Sequence, residues 1–267
     1  MTSHVELICI GNELLIGKVV NTNASWLAQR ITELGGRVGR IEVVSDNLDE
    51  ISDSIQSAIV RKPFMIITTG GLGPTYDDMT MEGVARALGI VLNDNSEALK
   101  MVMAKYASMS LELTPARIKM ARLPKGATAL ENPVGTAPGS LIESDGTKII
   151  CLPGVPSEME AIFSRSVAPI ISDVSGGIVY REASVVVEGI PESALAPILD
   201  DVRKRHPSAY FKSHPKMSEG VPLIEIHISV RSKGAEAAEN IIRSSASDLK
   251  EALIPYDHKV VKETYNP

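Results

Sequence analysis

A glycine-rich segment at residues 68–80, TTGGLGPTYDDMT, most constrains what this chain folds into. Its glycines follow Phe64–Thr68, an apolar run typical of a strand that is buried on both faces. They precede Glu82–Leu88, whose apolar residues have helical spacing. A buried strand, a glycine loop and a helix in this order indicate an α/β fold with a parallel sheet between layers of helices.

Strands and helices alternate over the first two thirds of the chain. Asp145-Gly146 separates two apolar runs and predicts a hairpin turn. The helices are predicted to begin at capping residues, namely Asn23, Thr114 and Ser157. The other predicted strands and helices of this part are His4–Ile10, 38–44, 51–59, Glu97–Ala107, Ser140–Ser144 and Thr147–Leu152, with a loop-rich stretch at 123–139.

A break at residues 173–177 (DVSGG) separates two predicted domains, 1–172 and 178–267. The second domain is read as a small α+β domain because strands there no longer alternate regularly with helices. Its predicted elements are Ala183–Glu188, Glu192–Arg205, Ala209–Ser213, Leu223–Val230 and Ala235–Ala252.

Charge and composition exclude several classes of protein. The chain carries 27 basic and 33 acidic residues, a net charge of −6, and neither predicted domain is basic, which argues against a nucleic-acid partner. No apolar run approaches the roughly 18 residues of a membrane span, and no signal peptide is visible, so we expect a cytoplasmic protein without a membrane partner. Cys9 and Cys151 lie in apolar stretches and are expected to be buried, reduced thiols.

The glycine loop has the chemistry of a phosphate site. Glycines let backbone N–H groups approach a phosphate closely, and the following helix adds the positive end of its dipole. Thr75 offers a hydroxyl, while Asp77 and Asp78 offer ligands for a divalent cation. The spacing matches neither a dinucleotide-binding fingerprint nor a Walker loop. The alternative is a structural turn in which the aspartates cap the next helix.

Further acidic residues follow two other strands. Glu13 comes after the first strand and Asp46 after the second, and strand ends of an open α/β sheet converge on one crevice. Glu13 is a candidate metal ligand or base, and Asp46 is a candidate ligand or a helix cap. Asn21 and Asn23 are candidate ligand contacts or caps, with the cap favoured for Asn23. With no histidine or cysteine cluster, an oxygen-ligand site for Mg²⁺ or Mn²⁺ is expected.

Four sequence blocks together resemble one family. GNELLIG with NTN, TTGGLGPTYDDMT, NPVGTAP and LPGVPSEM are similar to the N-terminal domain of the CinA family, within the molybdopterin-binding superfamily of the MoaB, MogA and MoeA proteins. The segment 188–195, EGIPESAL, resembles the KH-type middle domain of CinA proteins. Full-length members usually continue into a nicotinamide-nucleotide deamidase domain, for which this chain has no room, so deamidase activity is not expected.

The resemblance implies a three-layer MoaB/MogA-like sheet, parallel with a mixed edge, and a metal-dependent hydrolase that converts ADP-ribose to AMP and ribose 5-phosphate. The implied cofactor is a divalent cation (Mg, Mn or Co), often with potassium. The implied catalytic and metal residues are Glu13, Asp46, Asp77 and Asp78; many members have Asp where this chain has Glu13. The implied binding residues are Gly70, Gly71, Gly73, Pro74, Thr75, Asn132, Gly135, Thr136, Pro153, Gly154 and Glu158. No Lys or Arg lies between Lys62 and Arg86, so Lys18 of the first block is the candidate positive group that reaches the phosphate.

Two other functions remain open. One is a molybdopterin-binding or adenylyltransferase protein of molybdenum cofactor biosynthesis, which would use the same glycine loop and carboxylates. The other is a noncatalytic nucleotide-binding module, because binding and hydrolysis need nearly the same groups. The resemblance also implies a homodimer. The second domain is not expected to bind RNA, since residues 178–267 contain no G-x-x-G spacing of the kind that clamps a nucleic-acid backbone.

Overall fold

The structure is a computed structural model that describes residues 4–218, 221–256 and 259–266. The chain divides into two compact units. The first contains the chain up to Thr32 and Gly36–Ser175, and the second contains Glu33–Gly35 and the chain from Gly176 onward.

The first unit is built on a six-stranded sheet. Its strands are β1 (His4–Ile10), β2 (Arg37–Val44), β3 (Met65–Thr69), β6 (Thr128–Leu130), β7 (Gly139–Ser144) and β8 (Thr147–Leu152). A separate antiparallel pair is formed by β4 (Leu92–Asp94) and β5 (Arg122–Pro124). The order in the large sheet is β2-β1-β3-β8-β7-β6, in which the first four strands are parallel and β7 pairs antiparallel with both of its neighbours, β8 and β6. This is the predicted parallel sheet with a mixed edge.

Helices cover both faces of this sheet. They are α1 (Asn12–Leu15), α2 (Thr22–Glu33), α3 (Leu48–Val60), α4 (Thr80–Ala87), α5 (Ser96–Ser108), α6 (Pro115–Lys119), α7 (Pro156–Ile162) and α8 (Ala168–Ser175), with a π-helical turn at Phe163–Val167. Alternate strand residues, such as Ile8 and Ile66, pack with apolar side chains of α3, α4 and α5. The intervening residues of β1 and β3 are equally buried, which explains their unbroken apolar runs.

Several predictions for this unit are confirmed. Strand β1 has the predicted bounds, and Thr114 caps α6 through its side chain with Pro115 behind it. The Asp145-Gly146 turn has φ values of 49° and 79° and joins antiparallel strands β7 and β8. These positive angles suit Asp-Gly because both residues tolerate the left-handed region.

Two predicted helix caps are wrong. Helix α2 already includes Asn23, and it is Asn21 Oδ1 that accepts the hydrogen bond from the Ala24 N–H, at 3.0 Å. Helix α7 begins at Pro156 with Val155 as its N-cap, so Ser157 lies inside the first turn. Proline is well suited to the first helical position because it has no N–H to leave unpaired.

The loop-rich stretch at 123–139 contains short strands that were not predicted. Strands β5 and β6, like β4, are three residues long. A strand of this length is too short for a period-two pattern to be recognised. The predicted break is also shorter than expected: α8 runs to Ser175, and only Gly176 and Gly177, with φ values of 60° and 78°, separate it from the next strand.

The second unit is an antiparallel sheet with two helices on one face. Its elements are β9 (Ile178–Glu188), α9 (Glu192–Arg205), β10 (Ala209–Ser218), β11 (Val221–Lys233), α10 (Ala235–Leu253) and β12 (Lys259–Asn266). The strand order is β10-β11-β9-β12, and the core joins alternate strand residues to both helices. Strand β12 was not predicted. In the described residues of both units, no helix is long and apolar enough to cross a membrane.

Candidate functional site

A cleft of about 440 Å³ lies at the carboxyl ends of β1, β2, β3 and β8. Strand β1 lies between β2 and β3, so the chain changes direction across the sheet there, which is where open α/β folds bind ligands. Five carboxylate residues line the cleft, and none of the described residues that line it is a lysine or arginine. These carboxylate residues are Glu13, Asp46, Asp77, Asp78 and Glu158.

The glycine loop forms one wall of the cleft. Gly70 and Gly71 have φ values of 106° and 65°, a region in which glycine is favoured. Thr80 Oγ1 donates to the Gly70 carbonyl at 2.7 Å and fixes this bend from a buried position. Within the part of the chain that the structure describes, the N–H groups of Gly71, Leu72 and Gly73 donate to no protein acceptor. Three adjacent amides are therefore available to an anion.

A tight turn follows, organised by Thr75. The Thr75 N–H and hydroxyl donate to Asp78 Oδ2 at 2.9 and 2.6 Å, and the hydroxyl also contacts Asp77 Oδ1. The hydrogen bond from Thr75 is the main reason that the pKa of Asp77 lies below its usual range, so this carboxylate stays charged. Helix α4 begins at Thr80 without a side-chain cap. The alternative in which Asp77 and Asp78 cap this helix is therefore wrong.

The carboxylates of the other two strand ends, those of Asp46 and Glu13, lie against backbone. Asp46 Oδ2 accepts from the Asn12 N–H at 2.8 Å, whereas Asn47 caps α3 by accepting from Asp49 and Glu50. Asp46 thus does not cap α3, the helix that follows it, and its carboxylate instead binds the first N–H of α1. Glu13 folds back over Gly11, where a Cβ would lie 2.4 Å from its carboxylate. The Glu13 carboxylate therefore lies directly against the backbone of Gly11.

The loop at 132–138 reaches the cleft only in part. Thr136 lines the cleft, while Asn132 and Gly135 line a neighbouring groove beside α5. Asn132 acts through Glu158: its Nδ2 donates to Glu158 Oε2 at 2.7 Å, and its Oδ1 accepts from the Gly135 N–H at 2.7 Å. Of the remaining predicted binding residues, Pro74, Pro153 and Gly154 line the cleft.

Lys18, the predicted positive group, is not at the cleft, and a different lysine, Lys119, lies behind the cleft. Lys18 is exposed and does not line the cleft. Lys119, at the end of α6, donates to the carbonyl oxygens of Thr75 and Asp78 at 2.6 and 2.8 Å. Sequence reasoning missed it because it lies more than forty residues after the loop it contacts.

A smaller pocket of about 100 Å³ adjoins the cleft and shares Ile10, Glu13 and Gly154 with it. Asn23 lines this pocket and joins its walls, because its Nδ2 donates to Gly154 O at 2.8 Å and to Thr69 Oγ1 at 3.0 Å. Thr69 in turn donates to the Pro153 carbonyl at 3.0 Å. Asn23 is thus a positioning residue of the loop after β8.

The carboxylates do not form a complete metal cage. In residues 4–218, 221–256 and 259–266, no three His, Cys, Asp or Glu side chains are grouped so as to hold a metal ion by themselves. Mg²⁺ is usually held by one or two carboxylates together with substrate phosphates and water. Carboxylates around a cleft with three available amides suit a cation that arrives with a phosphate ligand.

Comparison with known proteins decides the family. Residues 6–173, more than half of the chain, match the family described as the probable molybdopterin binding domain. The chain belongs to this family. All four sequence blocks and the whole cleft lie inside the matched residues.

Relatives of this molybdopterin-binding family member extend over most of its length. A protein from Pyrobaculum arsenaticum is 48% identical over 248 residues, covering 92% of this chain and 93% of its own. Protein PAE0875 from Pyrobaculum aerophilum is 49% identical over 249 residues and covers 93% of each chain. Among solved structures, the CinA protein of unknown function from Thermoplasma acidophilum is 43% identical with a TM-score of 0.59, covering 63% of this chain and 98% of its own. The predicted resemblance to CinA is confirmed.

Proposed function

We propose that the cleft binds its ligand through phosphate groups. The observation that carries this proposal is the set of three adjacent backbone amides at Gly71, Leu72 and Gly73, which have no protein acceptor in the described part of the chain. Amides of a glycine-bent loop that leads to a helix are a common anion site. The family match to a molybdopterin-binding domain supports a ligand of this kind.

The charge of the cleft supports a metal cofactor. Carboxylates line the cleft without a lysine or arginine among the described residues, so an anionic ligand needs added positive charge. A divalent cation held by Asp78 with Asp46 or Glu13 would supply it and would lower the pKa of a bound water molecule. Asp77, whose pKa is held low by Thr75, would accept a hydrogen bond from that water and so orient it.

The activity proposed for this arrangement is hydrolysis of a nucleotide pyrophosphate, with ADP-ribose as the first substrate to test. The oxygen of water forms a bond to one phosphorus, the phosphoanhydride P–O bond breaks, and the products are AMP and ribose 5-phosphate. The chain contributes amides that hold the phosphates and carboxylates that hold the cation and accept the proton of the attacking water.

The second candidate is binding or adenylylation of molybdopterin, and the family match at residues 6–173 favours it. A phosphorylated pterin would use the same amides. A third candidate is a noncatalytic nucleotide-binding module. The three differ in what they release: the hydrolase forms AMP from ADP-ribose, the adenylyltransferase forms pyrophosphate from ATP and molybdopterin, and the module forms neither.

One assay panel separates these candidates. The protein is incubated with ADP-ribose, ADP-glucose, FAD and NADH, each with Mg²⁺, Mn²⁺ or Co²⁺, with and without potassium, and released AMP is measured. AMP release that depends on the metal supports the hydrolase. Two results together would support the adenylyltransferase. The protein would bind these four compounds in a metal-dependent way without converting them, and it would release pyrophosphate from ATP and molybdopterin. We also propose a homodimer, which light scattering tests.

A further inference from the structure

We propose that Lys119 is a positioning residue of the phosphate site: its ammonium group holds the Thr75–Asp78 turn in the shape that binds a metal–phosphate ligand. This inference rests on the proposed function of the cleft. Lys119 Nζ donates two hydrogen bonds, to Thr75 O at 2.6 Å and to Asp78 O at 2.8 Å. The same ammonium thereby closes both ends of a four-residue turn.

Thr75 is the residue through which Lys119 acts. Its carbonyl accepts from Lys119, while its N–H and hydroxyl bind Asp78 and its hydroxyl contacts Asp77. All hydrogen-bonding groups of Thr75 are therefore engaged, and both aspartates depend on its position. Hydrogen bonds from a charged donor are among the stronger ones in proteins, which makes Lys119 a firm anchor for this turn.

The location of Lys119 also gives it an electrostatic effect. Lys119 lines a small cavity behind the glycine loop, and the cleft lies on the other side of that loop. Gly71, Gly73 and Asp78 line both the small cavity and the cleft. The loop is thus a thin wall with the ammonium on one side and the phosphate site on the other. The described residues that line the cleft include no lysine or arginine. The ammonium of Lys119 behind the loop therefore offsets the repulsion between bound phosphate and the aspartates.

The test measures ligand binding and folding separately. Binding of inorganic pyrophosphate with Mn²⁺ is followed by calorimetry for the wild type, Lys119→Met and Lys100→Met. Lys100 is the matched control, since it lies on the surface of α5 and pairs with Glu97. We expect Lys119→Met to bind at least about tenfold more weakly, the loss typical for a hydrogen bond to a charged group, and Lys100→Met to bind as the wild type does.

A chemical rescue separates the ammonium from the rest of the side chain. Lys119→Cys is alkylated with 2-bromoethylamine, which restores an ammonium group of nearly the same reach, or with iodoacetamide, which leaves a neutral amide. Cys9 and Cys151 are buried and burial raises the pKa of both thiols, so the introduced thiol reacts first. We expect the amine product to recover pyrophosphate binding and the amide product not to recover it.

The outcomes are distinguishable. Equal binding by the two alkylated proteins, or binding by folded Lys119→Met within about twofold of the wild type, would overturn the role of Lys119. A loss of melting temperature with unchanged pyrophosphate affinity would do the same, because it would show a purely structural contact. Failure of the wild type itself to bind pyrophosphate would instead overturn the proposed phosphate site.

Discussion

The side-chain amide of Asn23 donates to the carbonyl oxygen of Gly154 at 2.8 Å, joining the first turn of α2 to the loop after β8. The second amide hydrogen goes to Thr69 Oγ1. This pair of acceptors fixes the orientation of the amide, since a flipped amide would oppose its oxygen to the Gly154 carbonyl. The bond holds together one wall of the cleft.

Replacing Asn23 by Asp should therefore be more damaging than replacing Asn21 by Asp. Asn23→Asp loses a donor and places a carboxylate against two oxygen atoms, and we expect a cost of about 1–3 kcal/mol in the free energy of unfolding. Asn21→Asp keeps an acceptor for the Ala24 N–H and should be nearly neutral. Urea unfolding of both variants measures the difference, and equal costs would contradict the assigned roles.

Replacing Gly71 by Val should abolish phosphate binding in a folded protein. A Cβ at this position would lie 2.4 Å from Thr80 Oγ1, and the residue has a φ of 65°. The loop must shift to relieve that contact, which displaces the adjacent amides. Gly126→Val is the matched control, because Gly126 has a φ of 90° but open space around it.

Both glycine variants should lose about 1–2 kcal/mol of stability from backbone strain, but only Gly71→Val should lose affinity for ADP-ribose. Calorimetric titration of the two proteins at a temperature where both are folded provides the comparison. If Gly71→Val bound ADP-ribose as well as Gly126→Val does, the glycine loop would not be the phosphate site.

Sequence patterns predicted those features that depend on neighbours in the chain. The bounds of β1 follow from its apolar run, and the turn between β7 and β8 follows from Asp145-Gly146. The position of the acidic residues at one edge follows from parallel strands ending together. These features need no knowledge of which distant side chains meet.

Features that depend on distant partners were not predicted. Lys119 reaches the loop from a five-residue helix whose place against the turn follows from tertiary packing. The hydrogen bond from Asn132 to Glu158, which lies 26 residues away, likewise does not follow from the sequence pattern. In the polar run 21–23, spacing alone does not decide which asparagine caps α2, because that depends on the path of the chain after α1.

Replacing Arg61 by Leu should destabilise the protein without affecting the cleft. The Arg61 guanidinium binds the buried carboxylate of Glu6 with contacts of 2.6 to 3.1 Å. Removing it leaves a buried, unpaired charge, for which we expect a loss of about 3 kcal/mol. Chemical denaturation measures this loss. The double variant Arg61→Leu with Glu6→Leu should regain part of the stability, and no recovery would contradict this explanation.

Alkaline pH should destabilise the second unit through two tyrosines. Burial, with a neighbouring glutamate in each case, raises the pKa of Tyr180 and of Tyr265 to about 12. Their unfolded forms ionise near 10, so between pH 10 and 12 the folded protein holds protons that the unfolded chain has lost. Stability is therefore fully present below about pH 10 and falls as pH rises through 12.

Melting temperatures measured across this alkaline range test the assignment. The double variant Tyr180→Phe with Tyr265→Phe removes both ionisable groups and should show a shallower decline than the wild type. Spectrophotometric titration should place two of the six tyrosines of the chain near pH 12. An identical decline in the variant would mean that other groups control the alkaline unfolding.

The two aspartates of the turn, Asp77 and Asp78, have different proposed roles. Because neither caps α4, replacing them should have little effect on that helix, and any loss of turnover reports on the site itself. Asp78→Asn retains an oxygen that accepts from the Thr75 N–H, so the turn should persist. If Asp78 is a metal ligand, as proposed, this variant should cut metal-dependent AMP release by more than about 100-fold and weaken Mn²⁺ binding.

Asp77→Asn should behave differently, because the role proposed for Asp77 is to orient water. We expect turnover to fall while Mn²⁺ affinity stays close to that of the wild type, since the carboxylate that holds the cation is retained. Calorimetry with Mn²⁺ and an assay of AMP release, run on both variants beside their melting temperatures, separate the two roles. Near-normal AMP release in both variants would remove the aspartates from the chemistry and leave Glu13 and Asp46 as the carboxylates to test next.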